Sequence, residues 1–194
     1  MKNKQATYHA KISDPPGGIL IWILVFLELL TFGIALLVLG IKAHNDPGTY
    51  HRARMMLHTE YGAVNTVFLL VSGYFMARAI FLLKSAEYGK SRRNILFAIA
   101  GGFLFLLVKS IEYSEKIHDG LVIGYNDFFT FYWLLTLFHV IHVLVGLTII
   151  SVLYFNIKSK EDKINLDDAE ASATFWHMCD LIWLFLFPVL YLLF

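Results

Sequence analysis

The stretch Thr174–Phe194, TFWHMCDLIWLFLFPVLYLLF, decides the fold of this chain. About 20 apolar residues, each rising about 1.5 Å, are enough for a helix to cross the hydrocarbon core of a bilayer. His177 and Asp180 lie three residues apart within this stretch, so they share one face of the predicted helix. A carboxylate inside a membrane span is costly and should face protein, water or a partner. The rest of the chain must therefore supply what this helix faces.

The composition is that of a membrane protein. The chain has 194 residues, of which 58% are hydrophobic and 16% charged, and its mean hydropathy is +0.62. Its apolar residues form long runs between short polar loops, which is typical of polytopic α-helical membrane proteins and not of β-barrels. The net charge of +1 gives no indication of nucleic-acid binding. The single cysteine, Cys179, excludes a disulfide framework and is predicted to pack as a small apolar residue.

The apolar runs predict an all-α bundle of five transmembrane helices. A cytoplasmic N-terminal tail, residues 1–18, is expected to end in Pro-Pro-Gly-Gly, which breaks the chain before the first span. That first span is too long for a cleavable signal peptide and is interpreted as a retained helix. Residues 19–194 are predicted to form one domain. Its expected spans are 19–41, 62–83, 94–117, 128–155 and 174–194.

Lysine and arginine residues predict the orientation of the bundle. Ten of them fall on the side of the N-terminal tail and four on the opposite side. Loops rich in these residues stay on the cytoplasmic side of a membrane. The N-terminus is therefore predicted to be cytoplasmic and the C-terminus to lie outside.

Glu28 is the first acid within a predicted span. It lies nine residues past Ile19, about 14 Å along the helix and close to the middle of the bilayer. No basic residue lies one turn away on its own helix, so either the carboxyl is protonated or another helix supplies a partner. Two interpretations stay open: a hydrogen-bonded acid in a packed bundle, and a proton or subunit-contact site.

The end of the third span carries alternating charges. Lys109 and Glu112 are three residues apart, and Glu112 and Lys116 are four apart, so they can pair along one helix face. A structural ion ladder is one interpretation, and a buried Glu112 turned toward the first or fourth span is the other. Gly101-Gly102, upstream, should allow the backbone of another helix to approach closely.

The fourth span carries His139 and His142, a spacing that could ligate a metal or, with partners, haem. Further ligands are few, since His177 is the only other histidine within a span, and no HExxH motif is present. A structural histidine pair is therefore preferred to a metal site. The rival hypothesis is a stand-alone membrane redox protein whose histidines hold haem or iron.

Depth in the bundle connects these residues. His142 lies about 21 Å from the outer start of its span, and His177 and Asp180 lie within about 10 Å of the inner start of theirs. We expect His142 to share a buried polar cluster with Asp180 or His177, and Glu28 to lie somewhat above it. A transporter centred on Glu28 is a further alternative, but the spans lack the inverted repeat and broken helices typical of such proteins.

These motifs, in this order, resemble subunit III of the haem–copper oxidases in its five-helix form, the family that includes cytochrome c oxidase subunit III. The resemblance covers nearly the whole chain after the tail. It rests on Glu28, Glu112-Tyr113, Phe138-His139-x-x-His142-x-x-x-Gly146, Glu170 and Phe175-Trp176-His177-x-x-Asp180-x-x-Trp183. The branch associated with nitric oxide reductases is the most similar. The stretches that indicate it are Lys109–Ile117, Asn126–Phe129 and Phe187–Tyr191.

The resemblance implies a non-catalytic subunit of a respiratory oxidase or nitric oxide reductase in a bacterial plasma membrane. Such a subunit holds no haem or copper itself, and both cofactors are expected in a polytopic catalytic partner. It would support the assembly, durability and proton uptake of that partner, and membrane phospholipids are further expected partners. Glu170, Trp176 and Trp183 are signature positions. The positions implied to be functional are Glu28 near the subunit contact, and Glu112, His139, His142, His177 and Asp180 inside the bundle.

Overall fold

The computed structural model describes residues 17–159 and 165–193, and within these ranges it contains helices and no strands. Five of the helices are long and apolar enough to cross a membrane, and the exception is α2. The predicted all-α bundle of five spans is therefore confirmed. The helices are α1 Ile19–Asn45, α2 Pro47–Met55, α3 Thr59–Lys84, α4 Tyr88–His118, α5 Asp127–Ser159 and α6 Leu166–Tyr191.

Two spans begin six and eight residues earlier than predicted. Helix α4 begins at Tyr88 instead of residue 94, and α6 begins at Leu166 instead of residue 174. Hydropathy marks only the part of a helix that crosses hydrocarbon, whereas polar residues continue the helix beyond it. The true start of α6 is set by Asn165, whose Oδ1 accepts a hydrogen bond of 3.1 Å from the backbone N–H of Asp167.

Helix α2 is short and polar, and the hydropathy pattern did not predict it. Asp46 caps it, since its Oδ1 accepts a 3.2 Å hydrogen bond from the backbone N–H of Thr49, and hydrogen bonding to Thr49 lowers the pKa of this carboxyl. Pro47 occupies the first turn, where no N–H partner is needed. Tyr50 is buried against Phe128 of α5, with 5.8 Å between ring centroids. We call this side of the bundle the α2 end.

Among the five spans, α6 is the most buried and α1 the least buried. In their most apolar 18-residue stretches, 56% of α6 is buried but only 11% of α1. Helix α6 packs against α1, α3 and α5, while α4 packs against α3 and α5. The stretch that decided the fold from the sequence is therefore the helix around which the others are arranged.

Close contacts between helices depend on glycine. A methyl group at Gly101 would lie 2.8 Å from the Cβ of Ser72 and 3.0 Å from the carbonyl oxygen of Phe68, so α3 and α4 meet there as predicted. Gly17 combines a positive φ of 79° with a close approach, because a Cβ there would lie 2.6 Å from the Cα of Ala171 on α6.

The predicted tail, residues 1–18, lies outside the described residues except for Gly17 and Gly18. Residues 160–164 of the loop before α6 lie outside them as well. These parts contain several lysines that predict the orientation, which therefore stays a prediction, as does the division into a tail and one domain.

Candidate functional site

Four side chains from α4, α5 and α6 form a closed polar network near the α2 end. The ammonium of Lys109 donates three hydrogen bonds, to Glu112 Oε2 at 2.9 Å, Tyr191 Oη at 2.9 Å and Tyr132 Oη at 3.2 Å. Both tyrosine hydroxyls donate in turn to Glu112 Oε1, at 2.7 Å from Tyr132 and 2.6 Å from Tyr191. We call Lys109, Glu112, Tyr132 and Tyr191 the Lys109 cage.

The Lys109 cage provides protein partners for two buried charges. The side chain of Lys109 is 1% exposed and that of Glu112 is 0% exposed, so each charge needs a partner and hydrogen bonds to be tolerated. The faces of Tyr113 and Trp183 add cation–π contacts, with their ring centroids 5.0 Å and 5.3 Å from the ammonium. All three N–H groups of Lys109 are used, so the cage holds its charges in one fixed arrangement.

Of the two ion pairs predicted between Lys109 and Lys116, only the first, Lys109 with Glu112, forms. Lys109 pairs with Glu112, but Lys116 donates to the backbone carbonyl of Met56 at 2.6 Å and makes no ion pair within the described residues. Glu112 faces α5, the fourth predicted span, as the second interpretation expected, and it faces α6 as well.

Glu28 has its partner on another helix. Its Oε2 lies 3.2 Å from His142 Nε2, a distance within ion-pair range although not aligned as a hydrogen bond. The other ring nitrogen of His142 lies 2.8 Å from the carbonyl oxygen of Phe138. Because a carbonyl only accepts, that nitrogen carries a hydrogen, and one further proton can be shared between Glu28 and Nε2 of His142. The Glu28–His142 pair therefore joins α1 to α5.

Asp180 lies beside His177, three residues earlier on the same helix. The distance from His177 Nδ1 to Asp180 Oδ2 is 3.5 Å. Gly73 of α3 makes room for this acid, since a methyl group there would collide with its carboxylate. Asp180 Oδ1 is buried and has no hydrogen-bond partner within the described residues.

The single cluster expected around His142 is thus divided into two pairs. His142 contacts Glu28, and His177 contacts Asp180. Within residues 17–159 and 165–193 no hydrogen bond or ion pair joins His142 to Asp180. Helical depth predicts which groups lie at similar height, but it does not determine which face of each helix they occupy.

His139 is fully buried among aromatic rings. It stacks on Trp183 with 5.4 Å between centroids and meets the edge of Phe105 at 5.6 Å. Neither ring nitrogen has a hydrogen-bond partner in the described part of the chain. His139 therefore lies in an aromatic layer, whereas His142 lies against Glu28, and the two imidazoles belong to different surroundings.

The signature residues Glu170, Trp176 and Trp183 connect α6 to α3. Trp176 is completely buried, and its indole N–H donates to Ser72 Oγ at 3.0 Å. The indole of Trp183 donates to Thr66 Oγ1 at 2.9 Å, and thus also connects α6 to α3. Toward the opposite end from α2, Glu170 forms a 2.6 Å ion pair with Lys84 of α3.

The sequence interpretation missed Tyr132 and Tyr191. Both are aromatic residues with a hydroxyl group, and in a run of Phe, Leu and Trp they give no polar signal. Their position offered one clue, because each lies near the α2 end of its helix, at the height of Glu112 on α4. Comparing depths would have placed them near Glu112, but only the packing of three helices shows that they meet.

Comparison with known proteins finds one family over most of the chain. A sequence model of the family described as Cytochrome c oxidase subunit III matches residues 53–193. "Cytochrome c oxidase subunit 3" of the tick Rhipicephalus sanguineus is 33% identical over 138 residues, which are 68% of this chain and 51% of the relative. "Probable cytochrome c oxidase subunit 3" of Rickettsia prowazekii is 31% identical over 137 residues, 67% of this chain and 47% of the relative.

The length of the relatives differs. The chain spans about half the length of the tick and Rickettsia relatives that it matches. "Cytochrome c oxidase subunit 3" of Corynebacterium diphtheriae is 26% identical over 195 aligned residues, which cover 98% of this chain and 95% of that relative. The family match reaches from α2 to the end of α6 and includes the Lys109 cage, both histidines of α5 and the signature residues of α6. The chain belongs to the cytochrome c oxidase subunit III family.

Proposed function

We propose that this chain is a non-catalytic subunit of a respiratory haem–copper oxidase or nitric oxide reductase in a bacterial plasma membrane. It would bind the catalytic subunit and support its assembly, durability and proton uptake. Haem and copper would be held by that partner and not by this chain. The observation that carries the proposal is the family match over residues 53–193, which includes the hydrogen-bonded Lys109 cage.

The surroundings of the histidines support a chain without its own redox centre. Two histidines that ligate the same metal ion must direct their ring nitrogens to one point. Here His142 is engaged by Glu28 and by the carbonyl of Phe138, while His139 lies between Trp183 and Phe105. His139 and His142 would have to leave these separate surroundings to ligate a common ion.

Helix α1 supports a contact with a partner inside the membrane. It is the least buried span, yet it carries Glu28, whose side chain is 22% exposed. An acidic side chain that keeps some exposure at mid-membrane depth is expensive against lipid alone. A catalytic subunit packed on α1 would cover this acid and bring it within reach of proton transfer.

The test compares the catalytic subunit purified from cells that contain or lack this chain. We expect the preparation lacking the chain to keep its haem spectrum and most of its initial turnover, but to inactivate within fewer turnovers. Oxygen and nitric oxide electrodes used in parallel identify the gas that the complex reduces. Loss of haem from the remaining subunit would contradict the proposal, and so would unchanged durability.

Point variants restored to the same cells examine the role of Glu28. We expect Glu28→Gln to restore assembly but only part of the durability, since the proton shared with His142 is lost. Glu60→Gln is the matched control, because Glu60 is exposed in the first turn of α3. Equal behaviour of the two variants would remove Glu28 from the proposed role.

A further inference from the structure

The hydroxyl groups of Tyr132 and Tyr191 share one carboxylate oxygen as their acceptor. Their Oη atoms lie 2.7 Å and 2.6 Å from Glu112 Oε1, close to the range of about 2.5–2.7 Å for hydrogen bonds from O–H groups to ionised acceptors. Both tyrosines are fully buried. Groups at hydrogen-bond distance are within reach of proton transfer. Each buried phenol therefore has a proton acceptor already in place.

A buried tyrosine with such an acceptor is suited to one-electron oxidation. A phenol that has lost an electron is a strong acid, and keeping its proton would leave a positively charged ring in the interior. Burying an unpaired charge is costly. Transfer of the proton from Tyr191 Oη to Glu112 Oε1, over 2.6 Å, leaves an uncharged tyrosyl radical instead.

Lys109 limits which oxidants can react with these tyrosines. Its ammonium lies 2.9 Å from Tyr191 Oη and 2.9 Å from Glu112 Oε2. Once Glu112 has taken up the proton, the ammonium remains and the cage carries a net positive charge. A buried charge without a counter-charge is unfavourable. Strong one-electron oxidants can therefore oxidise the cage, whereas weak ones leave it intact.

Indole and phenol rings in contact surround the acceptor. The ring centroids of Tyr132 and Tyr191 are 6.3 Å apart. Tyr191 lies 6.4 Å from Trp183, and Tyr132 lies 5.8 Å from Trp133. All three distances fall within the range of about 4.5–7 Å at which aromatic pairs interact. An electron can therefore move among four oxidisable rings, two of which have Glu112 as proton acceptor.

Tyr125 connects the cage to the surface at the α2 end. It lies in the loop before α5, is 54% exposed and packs against Phe129 at 5.8 Å between centroids. Phe129 in turn meets Tyr132 at 6.1 Å. One phenylalanine ring thus separates an exposed tyrosine from the buried cage. A soluble oxidant or reductant that reacts at Tyr125 can exchange an electron with the cage along this route.

A second tyrosine–carboxylate pair shows what burial adds. Tyr61 Oη donates to Glu115 Oε1 at 2.6 Å, the same distance as from Tyr191 to Glu112. Tyr61 and Glu115, however, line an open polar pocket together with His58 and His118. A radical on Tyr61 would be accessible to solutes and short-lived. A radical in the Lys109 cage is shielded from them.

We propose that Tyr132 and Tyr191 are redox-active and remove oxidising equivalents delivered by oxygen-centred radicals. In the step, one electron leaves Tyr191 and reduces the radical to its anion, which is hydroxide in the case of the hydroxyl radical. The Oη–H bond of Tyr191 breaks, and the proton forms an O–H bond at Glu112 Oε1. A soluble thiolate then returns one electron through Tyr125 and becomes a thiyl radical, while the proton returns from Glu112. The reaction uses no bound cofactor and no partner, so it does not rest on the subunit role.

The test exposes the full chain in detergent to flash-generated tris(bipyridine)ruthenium(III), a strong soluble one-electron oxidant. Electron paramagnetic resonance of samples frozen after the flash detects the radical, and ring-deuterated tyrosine identifies it. We expect a tyrosyl signal that outlives the signal of free tyrosine under the same conditions. Tyr132→Phe with Tyr191→Phe keeps both rings, removes both hydroxyls and should lose this signal. Tyr61→Phe, which removes the other tyrosine–carboxylate bond, is the matched control and should keep it.

A second variant tests the proton acceptor while both tyrosines remain. Lys109→Met with Glu112→Gln removes the acceptor together with its counter-charge, so no unpaired charge is left buried. Circular dichroism verifies that each variant is folded, and this one should also lose the long-lived signal. A signal that survives in it would overturn the assignment of Glu112 as proton acceptor. A wild-type radical as short-lived as that of free tyrosine would overturn the proposal, and so would one unchanged by Tyr132→Phe with Tyr191→Phe.

Discussion

The two buried charges of the Lys109 cage are stabilised by pairing with each other. The Lys109 cage places an ammonium and a carboxylate among aromatic rings with almost no exposure. Burying such a pair is favourable only when the geometry is good and the remaining donors and acceptors are satisfied. Spacing on α4 alone predicted that Lys109 and Glu112 meet, because residues three apart share a face. It gave no information about Tyr132 and Tyr191, which reach the cage from other helices.

Removing the carboxylate should leave Lys109 as an unpaired buried charge. We expect Glu112→Gln to lower the free energy of unfolding by about 3–5 kcal/mol, measured by denaturation in mixed detergent and sodium dodecyl sulfate. Adding Lys109→Met to Glu112→Gln removes the charge as well and should restore much of the loss. Glu60→Gln, at an exposed position, provides the control. A stability change of Glu112→Gln below about 1 kcal/mol would show that the cage is not a paired charge.

At the scale of helices, the indole ring of Trp176 on α6 packs into space left by glycines of α4 and α5. A methyl group at Gly146 on α5 would lie 2.8 Å from Trp176 Cε3, and one at Gly102 on α4 would lie 2.7 Å from Cη2 of the same ring. The large indole and the two glycines therefore occupy complementary volumes. The sequence predicted a close approach at Gly101-Gly102, but it did not identify the ring that fills the space. That identity depends on how three helices are rotated.

Gly102 and Gly146, which pack against Trp176, should not tolerate even one added methyl group. Gly146→Ala would force Trp176 or the helix to move, and overpacking of this kind typically costs about 1–3 kcal/mol. Gly33→Ala places the same methyl group in open space on α1 and should be neutral or stabilising by up to about 1 kcal/mol, because alanine favours a helix. Thermal unfolding in detergent compares the two variants. If both behave alike, Trp176 does not fill a fixed space.

For the whole molecule, hydropathy predicted the five membrane-spanning helices and missed the helical segments formed by polar residues. The five spans follow from apolar runs that only helices can carry across lipid. Helix α2 was missed because Arg52 and Arg54 make it polar, although the Asp46-Pro47 pair is a start signal for a helix. The early start of α6 was missed because Asp167 and Asp168 precede its apolar part.

The sequence predicted which residues belong to the candidate sites, but not which of them contact one another. Glu28, His142, His177 and Asp180 each stood out as polar residues within spans. The structure pairs Glu28 with His142 and His177 with Asp180, whereas depth alone predicts a cluster of His142 with Asp180 or His177. Helical depth gives one coordinate of a side chain, and the rotation of each helix gives the other. Rotation is decided by contacts such as Gly73 against Asp180, which a single sequence does not display.

The central claim is that this chain acts as a subunit bound to a haem-containing partner. The most direct measurement is purification of the tagged chain in a gentle detergent, with mass spectrometry and a visible absorption spectrum of what accompanies it. We predict a polytopic catalytic subunit and a Soret band, and the identity of that subunit distinguishes oxygen from nitric oxide reduction. A chain that emerges alone and colourless would contradict the account.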